Sequence, residues 1–199
     1  MVQELNVTRI QEAVQKRYAA VSCSAAGHFS YPIGRAGAAS LGYELSLVGD
    51  LPEEVLEAFC GVGNPFSLGP INPGESVLDV GCGAGFDLIF ANRLVGRRGR
   101  VCGIDLTAEM VEKAQANLRR AGVPNGEVHR AACEAIPYAD GTFDMVISNG
   151  VLNLSPLKEK SFEEIYRVLK SNGRLQFADI VLEEDLPAEV AGSLEAWSD

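Results

Sequence analysis

No apolar run in this sequence reaches about 18 residues, the length a membrane-spanning helix needs, so a spanning helix is excluded at the outset. Positive charge is scarce as well: 17 Lys and Arg stand against 27 Asp and Glu, a formal net charge of -10. Nonspecific nucleic-acid binding and docking on anionic lipid need the opposite balance, so neither nucleic acid nor membrane is expected as a partner. A small anionic ligand held by backbone amides is still compatible with it. Metal-binding patterns are missing too. Cys23, Cys60, Cys82, Cys102 and Cys133 are scattered singly, with no CxxC and no His/Cys ligand spacing, so no metal is expected. The odd cysteine number in an enzyme-sized chain fits reduced thiols, and Cys82, Cys102 and Cys133 suit the interior as small apolar residues. The first residues, MVQELNVTRIQEAVQKRY, are polar and amphipathic and lack the apolar stretch of a secretory signal. A cytoplasmic location is the expectation.

What is present is an ordinary globular composition, 47% apolar and 22% charged over 199 residues, enough for one domain with a sizeable core. Residues 3–20 read as a helix. The Ser/Ala/Gly-rich stretch 22–43 has no clear period and reads as a loop, and LPEEVLEAF, residues 51–59, reads as a short helix with an acidic first turn. The Gly/Pro/Asn-rich segment from Gly61 to Glu75 follows. It divides the chain into an extension over 1–60, expected to act as a lid or substrate cap, and a main body over 61–199. From residue 76 the pattern is regular. SVLDV, GRVCGIDL, GEVHRAAC, FDMVISNG and GRLQFADIVL read as strands. FDLIFANRLV, TAEMVEKAQANLRRAG and PLKEKSFEEIYRVLKSNG read as helices, the second with Thr107 at its N-cap and Gly122 at its end, the third stopped by Asn172-Gly173. Alternating units of this length imply a mostly parallel sheet flanked by helices.

The strongest local signal is VLDVGCGAGFD, residues 77–87, in which a strand runs into Gly81, Gly83 and Gly85 and a helix begins. Such glycines permit a tight turn and a close ligand approach. The dinucleotide fingerprint asks for a third glycine where Phe86 stands, and no Gly-Lys-Ser/Thr follows, so a pyrophosphate site is disfavoured. Asp79, two residues before the first glycine, would repel phosphate and suits a cationic amino group. Asp105 ends the next strand, where a carboxylate can accept hydrogen bonds from both ribose hydroxyls of a nucleoside. Together they point to a nucleoside carrying an amino-acid or sulfonium cation, and S-adenosylmethionine fits.

On these residues the chain resembles the class I S-adenosylmethionine-dependent methyltransferases, and within them the arsenite methyltransferase-like family, over roughly residues 55–190. The resemblance implies a Rossmann-like α/β fold. It also implies a cofactor site made by Asp79, Gly81, Cys82, Gly83 and Gly85, with Asp105 and Leu106 at the ribose and Met110 lining the adenine pocket. AACEAIPYADGTFDMVISNGVLNLSP is similar to the stretch that closes over adenine. The family's acidic residue there is replaced by Ala132, which leaves adenine to Cys133 and Glu134. Asn149 is the residue expected to touch cofactor or acceptor. Gly150 stands where the arsenite enzymes carry a cysteine, and only Cys23 and Cys60 remain as N-terminal thiols. Arsenic capture needs a convergent thiolate set, so arsenite is set back as the substrate. The family fold also ends in a helix and an antiparallel hairpin, which the residues up to LEAWSD do not supply. Either the sequence is a piece of a longer chain, or a partner such as a second copy is expected to cover the open strand edge.

Methyl transfer from a sulfonium needs positioning and dryness more than a base, and no catalytic triad is visible. The acceptor, a small molecule, is expected at the C-terminal end of the sheet. Its candidate walls are Gly150, Val151 and Asn153, with Tyr18, His28, Tyr31 and Tyr43 of the extension as a lid. Two rival readings remain: a non-catalytic cofactor-binding module of the same fold, and an NAD-dependent oxidoreductase, the latter disfavoured by Phe86 and Asp79.

Overall fold

The computed structural model describes residues 7–25 and 27–181. In chain order these form α1 (Val7–Cys23), α2 (Gly34–Ser40), α3 (Glu53–Leu56), β1 (Ser76–Val80), α4 (Phe86–Val95), β2 (Arg100–Asp105), α5 (Ala108–Arg120), β3 (Gly126–Arg130), β4 (Phe143–Asn149), α6 (Lys158–Val168) and β5 (Leu169–Ala178). Among the described residues no helix is long and apolar enough to cross a membrane.

The strands pair in the order β3-β2-β1-β4-β5, all parallel. This is the Rossmann-like sheet expected from the alternating units. Because β1 pairs with β2 on one side and β4 on the other, its two neighbours connect in opposite directions. The crevice outside the carboxyl ends of β1 and β4 is the usual ligand position in such a sheet.

Period-2 alternation sends neighbouring residues to opposite faces. Val77, Met145 and Ile147 join one buried cluster with α4 and α5, while Leu78, Val80 and Val146 join another with Ile165 and Val168 of α6. On α5, Met110, Val111, Ala114, Asn117 and Leu118 are buried at helical spacing, and the left-handed Gly122 follows its C-cap.

Two expectations are corrected. The stretch 22–43 is not all loop, since α2 lies within it. GRAGAAS has no apolar stripe, and tertiary fit holds it: Ala38 is fully buried, and a Cβ on Gly37 would come within 2.4 Å of the Pro32 carbonyl oxygen. Second, α6 stops at Val168, not at Asn172-Gly173. Leu169 already pairs with Phe143; the register then jumps so that Arg174 faces Met145, with Asn172 left-handed in between. The Asn-Gly pair therefore marks an irregularity in β5. Part of the extension over 1–60, expected as a lid or substrate cap, also packs into the interior. Tyr43, Val48, Val55, Leu56 and Phe59 share the core cluster of Val77 and Ile89. Residues 1–6 and 182–199, which include the expected end of the fifth strand, lie outside the described residues.

Tyr43 is the centre of that join. Its ring meets Phe59, Phe66, Phe86 and Phe90 at centroid distances of 5.1, 5.8, 5.6 and 5.2 Å, edge-on in each case. Tyr43→Ala is expected to lower unfolding free energy by about 3–5 kcal/mol in a denaturant titration. A change near zero would return Tyr43 to the role of a surface lid.

Candidate active site

At the carboxyl ends of β1, β2 and β4 lies an open cleft with about 770 Å³ of empty space. It is lined by Gly81 and Gly83 of the glycine loop, Asp105, Leu106 and Thr107 after β2, Ala131 to Glu134 after β3, and Asn149 to Val151 and Leu154 to Pro156 after β4. Gln11, Val14 and Tyr18 of α1 and Cys60 close one side. A smaller chamber of about 360 Å³ shares Cys60, Gly81, Gly83 and Asn149 with it and adds Asp79, Cys82, Phe86 and Asp87.

The glycine loop is left-handed at Gly81 and Gly83, with φ of 75° and 49°. At Gly81 the freedom is needed twice, because a Cβ there would also meet the Val151 methyls at 2.4 Å. Four of the loop's amides are engaged within the protein. The N–H groups of Gly81 and Cys82 both donate to Ile104 O, at 2.8 and 2.9 Å, and Gly85 N–H donates to Cys82 O at 2.8 Å. Gly83 N–H donates to the Asp105 carboxylate at 2.9 Å. These four amides are turned to the protein, so Gly81, Cys82, Gly83 and Gly85 are not available as donors to a phosphate. A Cβ on Gly83 meets nothing within 4 Å, so a side chain there would project into the cleft itself.

Three carboxylates sit close around the loop. Asp105 accepts from Gly83 N–H and from Thr107 N–H, both at 2.9 Å; burial raises its pKa and these two donors pull it back. Each oxygen keeps a lone pair for a further donor. Asp87, 8% exposed, accepts from Tyr43 Oη at 2.8 Å and Asn149 Nδ2 at 3.1 Å, and burial pushes it up to about 6. Asp79 is 2% exposed and accepts no hydrogen bond among the described residues. Burial first, then the charges of Asp87 and Asp105, raise its pKa well above the usual carboxylate range. A buried carboxylate with two carboxylate neighbours and no counter-charge is costly, and a cationic ligand is the group that relieves it.

Asn149 fastens the site together. Its Oδ1 accepts from Val62 N–H at 2.9 Å and Gly63 N–H at 3.1 Å. Its Nδ2 hydrogens are shared among Gly63 O, Tyr43 Oη and Asp87 Oδ2, at 2.9, 3.1 and 3.1 Å. The amide is saturated, so it positions the segment before β1 rather than holding out free donors to a ligand.

Of the residues singled out from the sequence, Gly81, Gly83, Asp105, Leu106, Cys133, Glu134, Asn149, Gly150 and Tyr18 line the larger chamber, and Asp79 and Cys82 the smaller. Six lie elsewhere. Gly85 faces α5, where a Cβ would meet Ala114 at 3.2 Å. Met110 packs with Val21 and Ala84 behind the loop, not in an adenine pocket. Tyr43 is core. Tyr31 donates to Cys60 O at 3.1 Å from outside the cleft, and His28 is a loop residue whose carbonyl takes Arg17 Nη2 at 2.9 Å. Asn153 closes its turn by donating N–H to Asp179 at 3.0 Å.

The residues missed are Asp87, Gln11, Val14, Thr107 and Ser155, together with Cys60, noted only as a spare thiol. Asp87 in a first helical turn looks like a dipole partner. The α1 residues share the helical spacing of buried Ile10, Val14 and Val21, which signals a packed face but not what it covers. Among the described residues no group of three His, Cys, Asp or Glu side chains converges as a metal site.

A parallel sheet with this crevice, its acidic strand ends and its glycine loop are those of the S-adenosylmethionine-dependent methyltransferase class. Residues 71–198 match the methyltransferase domain family, and the chain belongs to that family. It is 34% identical over 204 residues to an arsenite methyltransferase of Halobacterium salinarum, covering 96% of this chain and 52% of that protein. It is 41% identical over 119 residues to a ubiquinone/menaquinone biosynthesis C-methyltransferase of Klebsiella pneumoniae, 59% of this chain and 45% of the other. Among solved structures, an arsenic (III) S-adenosylmethionine methyltransferase from Chlamydomonas reinhardtii superposes with a TM-score of 0.64 at 36% identity, over 73% of this chain and 51% of that one. The chain spans about half the length of the curated relatives it matches first.

The raised carboxylate gives a testable pH effect. Asp87 moves from 3.8 to about 6 on folding, so between those values the folded chain holds more protons than the unfolded one. Stability then falls as pH rises through that window. In Asp87→Asn the fall in melting temperature of the ligand-free protein from about pH 4 to about pH 6 should be shallower than in the native chain. Equal slopes would show that Asp87 does not carry the linkage.

Proposed function

We propose that this chain binds S-adenosylmethionine across both chambers and transfers its methyl group to a small-molecule acceptor that enters the larger one. The observation that carries the reading is Asp79, a buried carboxylate with no hydrogen-bond donor among the described residues, next to a loop in which the amides of Gly81, Cys82, Gly83 and Gly85 are engaged within the protein. A diphosphate fits neither feature; a cationic, phosphate-free nucleoside fits both.

In this assignment Asp105 accepts the ribose hydroxyls with its remaining lone pairs. Leu106, Ala132, Cys133 and Glu134 enclose the base. Asp79 faces the cationic end from the smaller chamber, and Asn149 holds residues 62 and 63 against it. When bound, the cofactor supplies an activated methyl group on a sulfonium sulfur. The residues of the chain then have to orient the acceptor and exclude water. The side of the cleft made by α1, with Gln11, Val14 and Tyr18, serves as the cover.

Arsenite, which several relatives have in their names, asks for converging thiolates. Cys60 and Cys133 line the cleft, but burial pushes them up to about 12 and about 11, which favours the thiol over the thiolate. Cys23 lines a separate cavity with Lys113 and Glu57, and Gly150 brings no sulfur. The reading supported is an acceptor that needs no thiolate set.

Asp105→Ala is expected to weaken S-adenosylmethionine binding by about 1.5–3 kcal/mol, the scale of a hydrogen bond to a charged group, in isothermal titration. Gly83→Val should abolish binding, both by filling the cleft and by straining a loop backbone held at a φ of 49°. Native affinity in both variants would refute the assignment.

A further inference from the structure

A buried pair of hydroxyls lies behind the wall that follows β3. Ser155 is 3% exposed and Ser161 of α6 is fully buried, and their Oγ atoms are 2.9 Å apart. The surroundings fix the direction of the bond between them. A carboxylate only accepts, so Ser155 gives its one proton to Glu134 Oε1, at 2.6 Å. Ser155 Oγ then accepts twice, from Leu157 N–H at 3.1 Å and from the Ser161 hydroxyl. Leu157 O at 3.2 Å and Cys133 Sγ at 3.3 Å are the other neighbours of Ser161 Oγ. A one-way relay therefore runs from α6 through Ser155 to one oxygen of Glu134.

The second oxygen is left over. Glu134 lines the larger chamber beside Ala132 and Cys133, and its Oε2 accepts no hydrogen bond among the described residues. The backbone around it supplies the opposite polarity. Ala131 N–H is taken by Asp105 O and Ala135 N–H by Ala132 O, at 3.0 and 3.1 Å, while the N–H groups of residues 132 to 134 meet no acceptor among the described residues. This short wall thus sets one side-chain acceptor beside backbone donors. A 6-aminopurine edge carries an amine donor beside a ring-nitrogen acceptor and matches that set; a 6-oxopurine edge carries the reverse. Ala132 has no polar atom in its side chain, so the side-chain half of the match falls to Glu134.

We propose that Glu134 determines which base the cleft takes: its Oε2 accepts the exocyclic amine of adenine, and Ser155 and Ser161 are positioning residues that hold the carboxylate to that task. The proposal rests on the cofactor reading above. An oxo group in place of the amine would face Oε2 with no proton between the two acceptors, and that mismatch is costly in a closed site. A carboxylate free to rotate could turn away from it. One tied through Oε1 to a buried hydroxyl cannot do so without breaking that bond. The relay begins on α6, whose N-cap is Leu157, so a rigid element of the fold sets the selectivity.

The test uses the full 199-residue chain and reads binding alone, with no methyl acceptor present. S-adenosylhomocysteine and S-inosylhomocysteine, which carries an oxo group in place of the amine, are titrated by calorimetry. The native chain is expected to favour S-adenosylhomocysteine about tenfold or more, the scale of one hydrogen bond to a charged group. In Glu134→Gln the amide can turn either its oxygen or its N–H to the base, so the preference should fall to about threefold or less. Glu134→Asp, too short to reach both Ser155 and the base, should lose it likewise. In Ser155→Ala the preference should fall partway, and in Ser155→Thr, which keeps the hydroxyl, it should return. A loss of packing alone weakens both ligands equally and leaves the ratio in place. Absence of S-adenosylhomocysteine binding defeats the cofactor reading and this proposal with it. Equal native affinity for the two ligands overturns the proposal and leaves that reading standing, as does a native preference that survives Glu134→Gln. An unchanged ratio in Ser155→Ala overturns the relay.

Discussion

The Asn149 side chain joins parts of the chain that are far apart in sequence: the segment at Val62 and Gly63, the core ring of Tyr43, the first turn of α4 at Asp87, and the end of β4. Both chambers depend on it, because the wall they share includes this residue. Close packing around it leaves no slack. A Cβ on Gly61 would come within 2.2 Å of its Nδ2, and one on Gly150 would meet Val62 at 3.1 Å. The glycines on either side of the knot are therefore demanded by approach as much as by turn geometry. Through this knot the extension becomes part of the site, and its core residues set where residues 60 to 63 lie.

The second constraint is electrostatic. Asp79 and Asp87 lie buried with no cationic side chain lining their chamber, and burial raises both. Elsewhere the chain treats its carboxylates differently. Glu75 meets Arg174 at 2.8 Å and Glu164 meets Arg167 at 2.8 Å, and both acids are held down to about 2. The contrast is local and physical: the fold pairs acids where only stability is at stake and leaves them uncompensated at the crevice. Such a site gives up stability in the empty state and recovers it with a cation in place.

Much of this was legible from residues alone. The sheet units from Ser76 onward follow from apolar runs of strand length alternating with helical stripes, and the glycine loop and the two strand-end aspartates follow from their position. Legibility failed where tertiary packing overrides local signal. GRAGAAS forms a helix only because its small residues let it sit against Pro32 and Phe59. Met110 and Tyr43 were placed by analogy of position, yet their apolar bodies belong to the interior, which a single sequence cannot orient. Asp87 shows the same limit from the polar side: in a first helical turn it reads as a dipole partner, and only the fold brings Tyr43 and Asn149 to it.

A strand, a glycine turn and a helix can face a phosphate or a cation, and the residue pattern alone separates these weakly. What separates them is where the loop's amides go. Here the amides of Gly81 and Cys82 close on Ile104 O and that of Gly83 on Asp105. These three donors are consumed in tying the loop to β2. The same bond that removes the Gly83 donor fixes the Asp105 carboxylate at the cleft. One hydrogen bond thus withdraws a donor from the loop and presents a carboxylate at the cleft, and on that pairing rests the proposal of a phosphate-free, positively charged nucleoside on a fold that elsewhere holds dinucleotides.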